Sequence, residues 1–135
     1  MWEYEHSVRT SAAPEAVWRR WTDMASWPEW NDGIESITVD GPFATGTTFT
    51  MTPPGEEPIT MRLVDVVPGE VFTDRMDAGS FVVTTVHRLV PEAGGTRIVY
   101  RTEITGPDAD QVGPRLGPAI TADFPDVLAK LAALS

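Results

Sequence analysis

Polar and apolar residues alternate along the first strand-like segment of the chain. The positions that share its apolar side are Trp2, Tyr4, His6 and Val8, and the residues between them are polar. A period of two with one polar face predicts a β-strand over Trp2–Thr10 that is buried on one side. Apolar residues at helical spacing then predict two short helices, one that opens at Ser11–Pro14 and one over Met24–Trp30.

Six further strands are predicted between residues 34 and 105. Short turn sequences rich in glycine, proline and aspartate separate them, and these residues supply the backbone angles at which a chain reverses. Because such short connections join neighbouring strands of opposite direction, the sheet is predicted to be antiparallel. The predicted strands are Glu35–Val39, Thr47–Thr52, Ile59–Val67, Val71–Met76, Ser80–Val90 and Thr96–Thr105.

A long helix is predicted from about Ala109 to Leu134, where apolar residues recur at intervals of three and four. Three prolines interrupt this pattern, at positions 114, 118 and 125. Each proline removes a backbone N–H and clashes with the carbonyl of the preceding turn. We therefore expect irregular helix before about Ile120 and a kink near Phe124.

The order of these elements predicts one α+β domain over residues 1–135. Seven antiparallel strands must bury one face, and the long helix carries the largest apolar stripe available to cover it. A chain of 135 residues has room for a single core. If the sheet curls around the helix, the two surfaces separate toward one end and leave a cavity, which the short helices close.

Charge and composition restrict the partners of this domain. The chain has 20 acidic and 10 basic residues, and a net charge of −10 repels nucleic-acid phosphates and anionic membrane surfaces. Cysteine is absent, so disulfides and thiolate metal ligands are excluded. The first residues lack the basic and apolar pattern of a leader sequence, and no apolar run reaches the length of a membrane span, so we expect neither. We expect a cytoplasmic monomer or homodimer that neither binds nucleic acid nor inserts into a membrane.

A set of short motifs, taken in order, resembles a known superfamily. The segments that carry the resemblance are Ser11–Trp18, Trp27–Asn31, Gly46–Phe49, Val64–Gly69, His87–Leu89 and Gly95–Arg97, followed by the C-terminal helix. Together they resemble the START-like, or SRPBCC, helix-grip superfamily, and are most similar to its polyketide cyclase/dehydrase-like group of small bacterial domains. No catalytic signature of the superfamily matches residue by residue.

The resemblance implies a helix-grip fold, in which a seven-stranded curved antiparallel sheet wraps around a long C-terminal helix and two short helices follow the first strand. It also implies a deep cavity between the sheet and the long helix. Members of the superfamily bind lipids, isoprenoids, hormones or polyketides. Some cyclise and aromatise polyketide chains, and others act as co-chaperones. One fold therefore hosts several activities.

The candidate catalytic residues are His6, His87 and Tyr100. Both histidines are expected on the inward side of their strands, where a neutral imidazole can accept or donate a proton near pH 7. For each histidine, a hydrogen-bonded pocket or core residue is the simpler interpretation, and Tyr100 either orients a ligand carbonyl or caps the edge of the core. The histidine spacing matches no metal motif, and no nucleotide-binding motif is present, so we expect neither a metal nor a cofactor.

Candidate ligand-binding residues are predicted around the cavity. Aromatic planes suit flat ligands, and methionines supply adaptable walls, although both residue types also fill ordinary cores. The orientation of Arg75 is open, because the alternation of its strand does not show which face is buried. The candidates are Trp27, Trp30, Met51, Met61, Arg75, Thr85, His87, Tyr100 and Phe124.

Three functions remain open at this point. The leading hypothesis is binding or transport of a small hydrophobic or aromatic molecule, polyketide- or lipid-like, in the cavity. The alternative is a cyclase, aromatase or dehydratase that uses His6 or His87 as acid and base, with Tyr100 or Arg75 polarising a carbonyl. The third is a co-chaperone or protein-interaction module in which side chains fill the interior.

Overall fold

The protein is described here from a computed structural model that covers residues 1–135. The strands are β1 (Trp2–Thr10), β2 (Ser36–Val39), β3 (Thr48–Thr52), β4 (Ile59–Val67), β5 (Val71–Asp77), β6 (Val82–Glu92) and β7 (Gly95–Thr105). The helices are α1 (Pro14–Thr22), α2 (Ala109–Thr121) and α3 (Phe124–Leu134), with a 3₁₀ helix at Met24–Glu29. No helix is both long enough and apolar enough to cross a membrane.

All seven strands form one antiparallel sheet with the order β1-β7-β6-β5-β4-β3-β2. Strands β2 to β7 follow one another as a meander, and β1 closes onto β7, so the first strand and the last lie side by side. A register shift between Leu63 and Asp65 interrupts the pairing of β4 with β5, and such bulges bend a sheet. The predicted helix-grip fold is confirmed.

One face of the sheet is covered by helices. α3 contacts β1 and β7, α1 contacts β6 and α3, and α2 contacts β1 and β7. Seventeen buried residues between the sheet and the helices form the main core, and Trp21, Phe49 and Leu128 are fully buried within it. We call this covered side the inner face of the sheet and the opposite side the outer face.

The C-terminal helix bends between α2 and α3, at Ala122 and Asp123, which confirms the predicted kink near Phe124. The predicted irregularity before Ile120 is wrong, because α2 is an α-helix throughout. Pro114 and Pro118 lie on its exposed side, where water can hydrate the carbonyls that the prolines leave without a partner.

Two buried glycines explain how α2 approaches the sheet. Gly113 and Gly117 lie one turn apart and face the side chain of Trp2 on β1. A Cβ atom at either position would overlap Trp2, so only glycine permits this contact. The pair fixes α2 against the outermost strand on this side of the sheet.

Candidate functional site

A row of three buried polar side chains crosses the middle of the inner face. Asp74 on β5 lies directly opposite Thr85 on β6, which lies directly opposite Thr102 on β7. The two threonine hydroxyls are 2.9 Å apart and hydrogen-bonded to each other. We call Asp74, Thr85 and Thr102 the polar row.

His87 lies beside the polar row, two residues along β6 from Thr85. Its Nδ1 donates a hydrogen bond to the carbonyl oxygen of Phe72 at 3.1 Å, and its ring stacks on the Phe72 ring at a centroid distance of 3.9 Å. This contact fixes the proton on Nδ1 and leaves Nε2 as a hydrogen-bond acceptor. Burial lowers the pKa of His87 to about 3, so its imidazole is neutral at physiological pH.

Tyr100 on β7 lies directly opposite His87, with the two rings 4.5 Å apart in an edge-to-face arrangement. The indole Nε1 of Trp21 donates a hydrogen bond to the Tyr100 hydroxyl at 3.2 Å, so the hydroxyl proton remains available. Burial raises the pKa of Tyr100, and the nearby charge of Asp74 raises it further. Tyr100 therefore remains a neutral phenol that can donate a hydrogen bond.

The carboxyl group of Asp74 is the least expected feature of this interior. The residue is buried, with 7% of its surface exposed, and its carboxyl group accepts no hydrogen bond from the rest of the protein. Burial raises the pKa of Asp74 from 3.8 to about 7, because an ionised carboxylate is disfavoured away from water. Strongly shifted groups cluster at functional sites, since catalysis and binding need them there.

Aromatic rings occupy the space between the polar row and the helices. Trp21 contacts Phe72 at a centroid distance of 5.0 Å, and Phe124 of α3 contacts Tyr100 at 5.6 Å and Tyr4 at 6.1 Å. The expectation of an open cavity is therefore corrected, because side chains fill the region where the sequence placed it. The reason is that four large rings converge from α1, β5, β7 and α3 on the same place.

Two surface clefts lie elsewhere on the molecule. One has a volume of about 240 Å³ and lies between α1 and the end of α3, where Arg19 and Arg20 face Leu134. The other, of about 260 Å³, lies between the 3₁₀ helix and the loop at Gly41–Phe43. Neither cleft is lined by a residue of the polar row.

One protein-family model matches this chain. The model described as "Polyketide cyclase / dehydrase and lipid transport" matches residues 1–135, the whole chain. The chain belongs to this family. A comparison with curated protein sequences finds no match.

Several solved structures have the same fold as this chain. The di-domain ARO/CYC StfQ from the steffimycin biosynthetic pathway is 17% identical with a TM-score of 0.76, and the match covers 98% of this chain and 49% of StfQ. The chain thus spans about half the length of that protein. Norcoclaurine synthase from Thalictrum flavum is 18% identical with a TM-score of 0.77, covering 98% of this chain and 84% of that one.

A protein from Thermus thermophilus is similar along nearly its whole length. It is 17% identical with a TM-score of 0.75, and the match covers 98% of this chain and 95% of that one. Identities this low show a shared fold and carry no residue roles. The site of this polyketide cyclase/dehydrase-family member must therefore be interpreted from its own side chains.

The structure brings several of the predicted site residues of this family member together. Thr85 is a member of the polar row, His87 and Tyr100 lie beside it on the inner face, and Phe124 covers Tyr100 from α3. His6 is half-buried on β1, directly opposite Tyr100. No three His, Asp or Glu side chains lie close enough together to hold a metal ion.

Arg75 does not join this group. It is exposed, and it alternates with Asp74 along β5, so it lies on the outer face directly opposite Arg62. Its place among the ligand-binding candidates is corrected for this reason. The inward positions of β5 are Phe72, Asp74 and Met76, whose orientation the sequence left open.

The remaining predicted residues lie on β3, on β4 and at the 3₁₀ helix. Met61 is buried on β4, and Met51 on β3 is half-buried. Trp27 donates a hydrogen bond from Nε1 to the backbone oxygen of Trp21 at 3.1 Å, which anchors the 3₁₀ helix to α1. The indole Nε1 of Trp30 is the one side-chain nitrogen or oxygen that is completely sealed from solvent and has no hydrogen-bond partner.

Sequence reasoning missed three members of the site, namely Asp74, Trp21 and Thr102. For Asp74 a usable signal exists, because an aspartate between Phe72 and Met76 shares their parity. These three residues lie on one face of the strand. The face is recognised as buried only if the large apolar side chain of Phe72 is taken as stronger evidence than the charge of Asp74. Nothing in the spacing of Trp21 or Thr102 indicates their hydrogen-bond partners.

Proposed function

We propose that this protein binds a small hydrophobic or aromatic molecule between the sheet and α3, with the polar row receiving the polar end of that molecule. The observation that carries the proposal is the carboxyl of Asp74, which belongs to a residue only 7% exposed on the inner face and has no hydrogen-bond partner within the protein. Ligand sites combine an apolar lining with a few placed polar groups, and this interior has that composition.

The energetics of Asp74 support a binding role over a structural one. An unpaired buried polar group destabilises a fold by about 1–3 kcal/mol, and a buried charge by more. An apolar side chain at this position would extend the surrounding core without that penalty. A ligand that hydrogen-bonds to Asp74 would remove this penalty in the complex. The free energy of binding would then be more favourable by the same amount.

Binding requires that some of the interior rings move, and Phe124 is in the best position to do so. It is the first residue of α3 and follows directly on the bend that separates α3 from α2. Its ring contacts Tyr4 and Tyr100 and so covers one side of the site. We infer that a ligand takes the space of the Phe124 ring when the bend between the helices opens.

Known complexes of this fold are consistent with an aromatic guest. A structure of norcoclaurine synthase from Thalictrum flavum contains dopamine and hydroxybenzaldehyde, and this chain is 20% identical to it with a TM-score of 0.73. At this identity the likeness shows only that the fold can accommodate aromatic molecules. The family description adds lipid transport, so a lipid-like ligand fits the same proposal.

The test uses 2-naphthalenemethanol as a neutral aromatic probe and isothermal titration calorimetry as the measurement. The variant Phe124→Ala removes the ring that must move, and we expect it to bind the probe at least about tenfold more tightly than the natural protein. Phe81→Ala is the matched control, because Phe81 belongs to a separate cluster around Val83 and Ile104. Affinity that is unchanged in Phe124→Ala, or raised equally in both variants, would contradict the proposed place of binding.

A measurement on the unmodified protein makes the result independent of either variant. Native mass spectrometry of freshly purified protein should show a retained small molecule or, after mixing, a complex with the naphthalene probe. If neither calorimetry nor native mass spectrometry detects a complex, the binding function itself is contradicted.

A second function, an enzyme of the cyclase or dehydratase type, has one observation in its favour. A carboxyl group with a pKa of about 7 accepts and returns protons efficiently at neutral pH. In this scheme ionised Asp74 takes a proton from the carbon next to a ketone, while the Tyr100 hydroxyl donates a hydrogen bond to the ketone oxygen, which becomes an enolate oxygen; Asp74 then returns a proton to the carbon. His87 is then a hydrogen-bond acceptor and not the base, because its imidazole is too weakly basic.

Proton exchange distinguishes this enzyme from a simple binder. With 2-acetylnaphthalene in heavy water, an enzyme should accelerate deuterium incorporation at the methyl group, and Asp74→Asn should abolish that acceleration. His87→Ala should retain part of it. Equal exchange by Asp74→Asn and the natural protein would exclude Asp74 as the base.

The third function, a protein-interaction module, has the filled interior in its favour. Its other expected feature is a continuous exposed apolar patch. The exposed large apolar residues lie on four separate segments and are Met1, Val67, Val90 and Leu134. Ligand binding therefore remains the better-supported proposal, and the cytoplasmic location and the monomeric or homodimeric state stay predictions.

A further inference from the structure

The protein buries one acidic side chain and no lysine or arginine. The chain has 10 lysine and arginine residues, and none of them is buried. Among the 20 acidic residues, Asp74 alone is buried, and it lies at the centre of the inner face. The interior thus contains one acid and no permanent cation.

Strand alternation explains this asymmetry, because basic residues adjoin the site in sequence but point away from it. Arg75 follows Asp74 and is exposed on the outer face. Arg101 follows Tyr100 on β7 and is held on the outer face by Glu3 and Glu103. No guanidinium is left near the polar row to pair with an anion.

Hydrogen-bonding capacity in the site also favours acceptors. Asp74 offers two carboxyl oxygens without a protein partner, and Nε2 of His87 is a further acceptor. The available donors are the proton of the Tyr100 hydroxyl and one proton of the Thr85–Thr102 pair. Only the acceptors include a group that can carry charge.

We propose that the site selects a ligand whose polar end is a neutral or cationic hydrogen-bond donor, namely a hydroxyl group or an amine, and that it discriminates against carboxylates such as free fatty acids. The physical reason is that a carboxylate placed against Asp74 would bury two like-charged groups without a cation, or would have to bind a proton. A hydroxyl or ammonium group instead satisfies the unpaired oxygens of Asp74. This inference rests on the proposed binding function.

Three probes of matched shape test the selection, all measured by isothermal titration calorimetry at the same slightly alkaline pH. They are 2-naphthalenemethanol, 2-(aminomethyl)naphthalene and 2-naphthoic acid, which differ only in the polar end. We expect the alcohol and the amine to bind the natural protein at least about tenfold more tightly than the acid, since one unpaired like charge is worth about that factor.

Variants then assign the discrimination to Asp74. In Asp74→Asn the preference over the acid should fall to within about threefold, because the amide carries no charge and can donate to a carboxylate. Asp65→Asn is the matched control, since Asp65 is an exposed aspartate outside the site. This control should keep the ranking of the natural protein.

The possible results separate this inference from the function beneath it. If the acid binds the natural protein as tightly as the alcohol or more so, the selection is wrong while the binding function stands. If Asp74→Asn keeps the full preference, Asp74 does not cause it, and the inference is likewise wrong. If none of the three probes binds, the proposed function fails and the selection fails with it.

Discussion

The two faces of the sheet treat charge in opposite ways, although the same strands supply both. On the outer face Arg101 pairs with Glu3 and Glu103, and all three side chains reach solvent. On the inner face Asp74, adjacent in sequence to an exposed arginine, is buried without any partner. Charges on the outer face stabilise the protein little and cost little, whereas the inner carboxyl must be explained by something other than stability.

The largest difference between the faces is expected for packing. Phe72→Ala on the inner side of β5 should lower the free energy of unfolding by about 3–5 kcal/mol, because it removes a ring that contacts Trp21 and His87. Arg75→Ala, on the outer side of the same strand, should change it by less than about 0.5 kcal/mol. Urea unfolding of both variants measures the two values. Comparable losses would show that the faces are not distinct.

The second difference concerns the pH dependence of stability. Between the ordinary pKa of 3.8 and the folded pKa of about 7, the native state of the protein holds a proton on Asp74 that the unfolded state has released. Stability from this group therefore falls as pH rises through that range, by up to about 4 kcal/mol. Asp74→Asn removes the effect, so the variant should be more stable than the natural protein at about pH 8 and no more stable at about pH 4.

The contribution of His87 to stability changes with pH in the opposite direction to that of Asp74. Its folded pKa is lowered to about 3, so its contribution to stability is present above the ordinary value of 6.5 and is lost as pH falls. That loss occurs equally in the natural protein and in Asp74→Asn and cancels in their difference. Asp65→Asn, which replaces an exposed aspartate on the neighbouring strand β4, is the matched control for the substitution itself. A constant difference for Asp74→Asn across the range would contradict the burial of an unpaired carboxyl.

A smaller effect is expected within the polar row itself. Thr102→Val should destabilise the protein by about 1–2 kcal/mol, because it leaves the buried hydroxyl of Thr85 without its partner at 2.9 Å. The double variant Thr85→Val, Thr102→Val removes both groups and should recover part of that loss. Urea unfolding of the single and double variants measures the coupling. Additive losses would show that the hydroxyl pair does not act as a unit.

The smallest effect is expected for the outer ion pairs. Arg101→Gln should shift the urea midpoint only slightly, and the shift should disappear in about 1 M salt, where exposed charges are screened. A large shift that persists at high salt would mean that the outer face contributes to stability as the inner face does.

The sequence predicted the fold well because the fold depends on periodicity. Trp2–Thr10 and Ile59–Val67 were placed with the same bounds as β1 and β4. The kink near Phe124 followed from proline chemistry, whereas α2 stayed regular through Pro114 and Pro118. The effect of a proline depends on which side of the helix it occupies, and the sequence alone did not show this. Both proline rings face solvent here.

The site was predicted less well because its members are defined by tertiary contacts. Along β5, apolar and polar residues occur on both faces, so alternation alone could not orient Asp74 and Arg75. The folded sheet decides that question, because Asp74 is buried opposite Thr85 whereas Arg75 is exposed. The filled interior was equally beyond the pattern, since it depends on how the rings of Trp21 and Phe124 are oriented.

The most direct measurement is a titration of the isotope-labelled protein with 2-naphthalenemethanol, followed by the amide and indole signals in two-dimensional NMR spectra. Binding inside the sheet predicts shifts for Asp74, Thr85 and the Trp21 indole, together with residues at the start of α3. Neighbouring outer-face residues such as Arg75 and Val86 should shift less. No change at saturating probe, or changes confined to the outer face and the surface clefts, would contradict a ligand site in the interior.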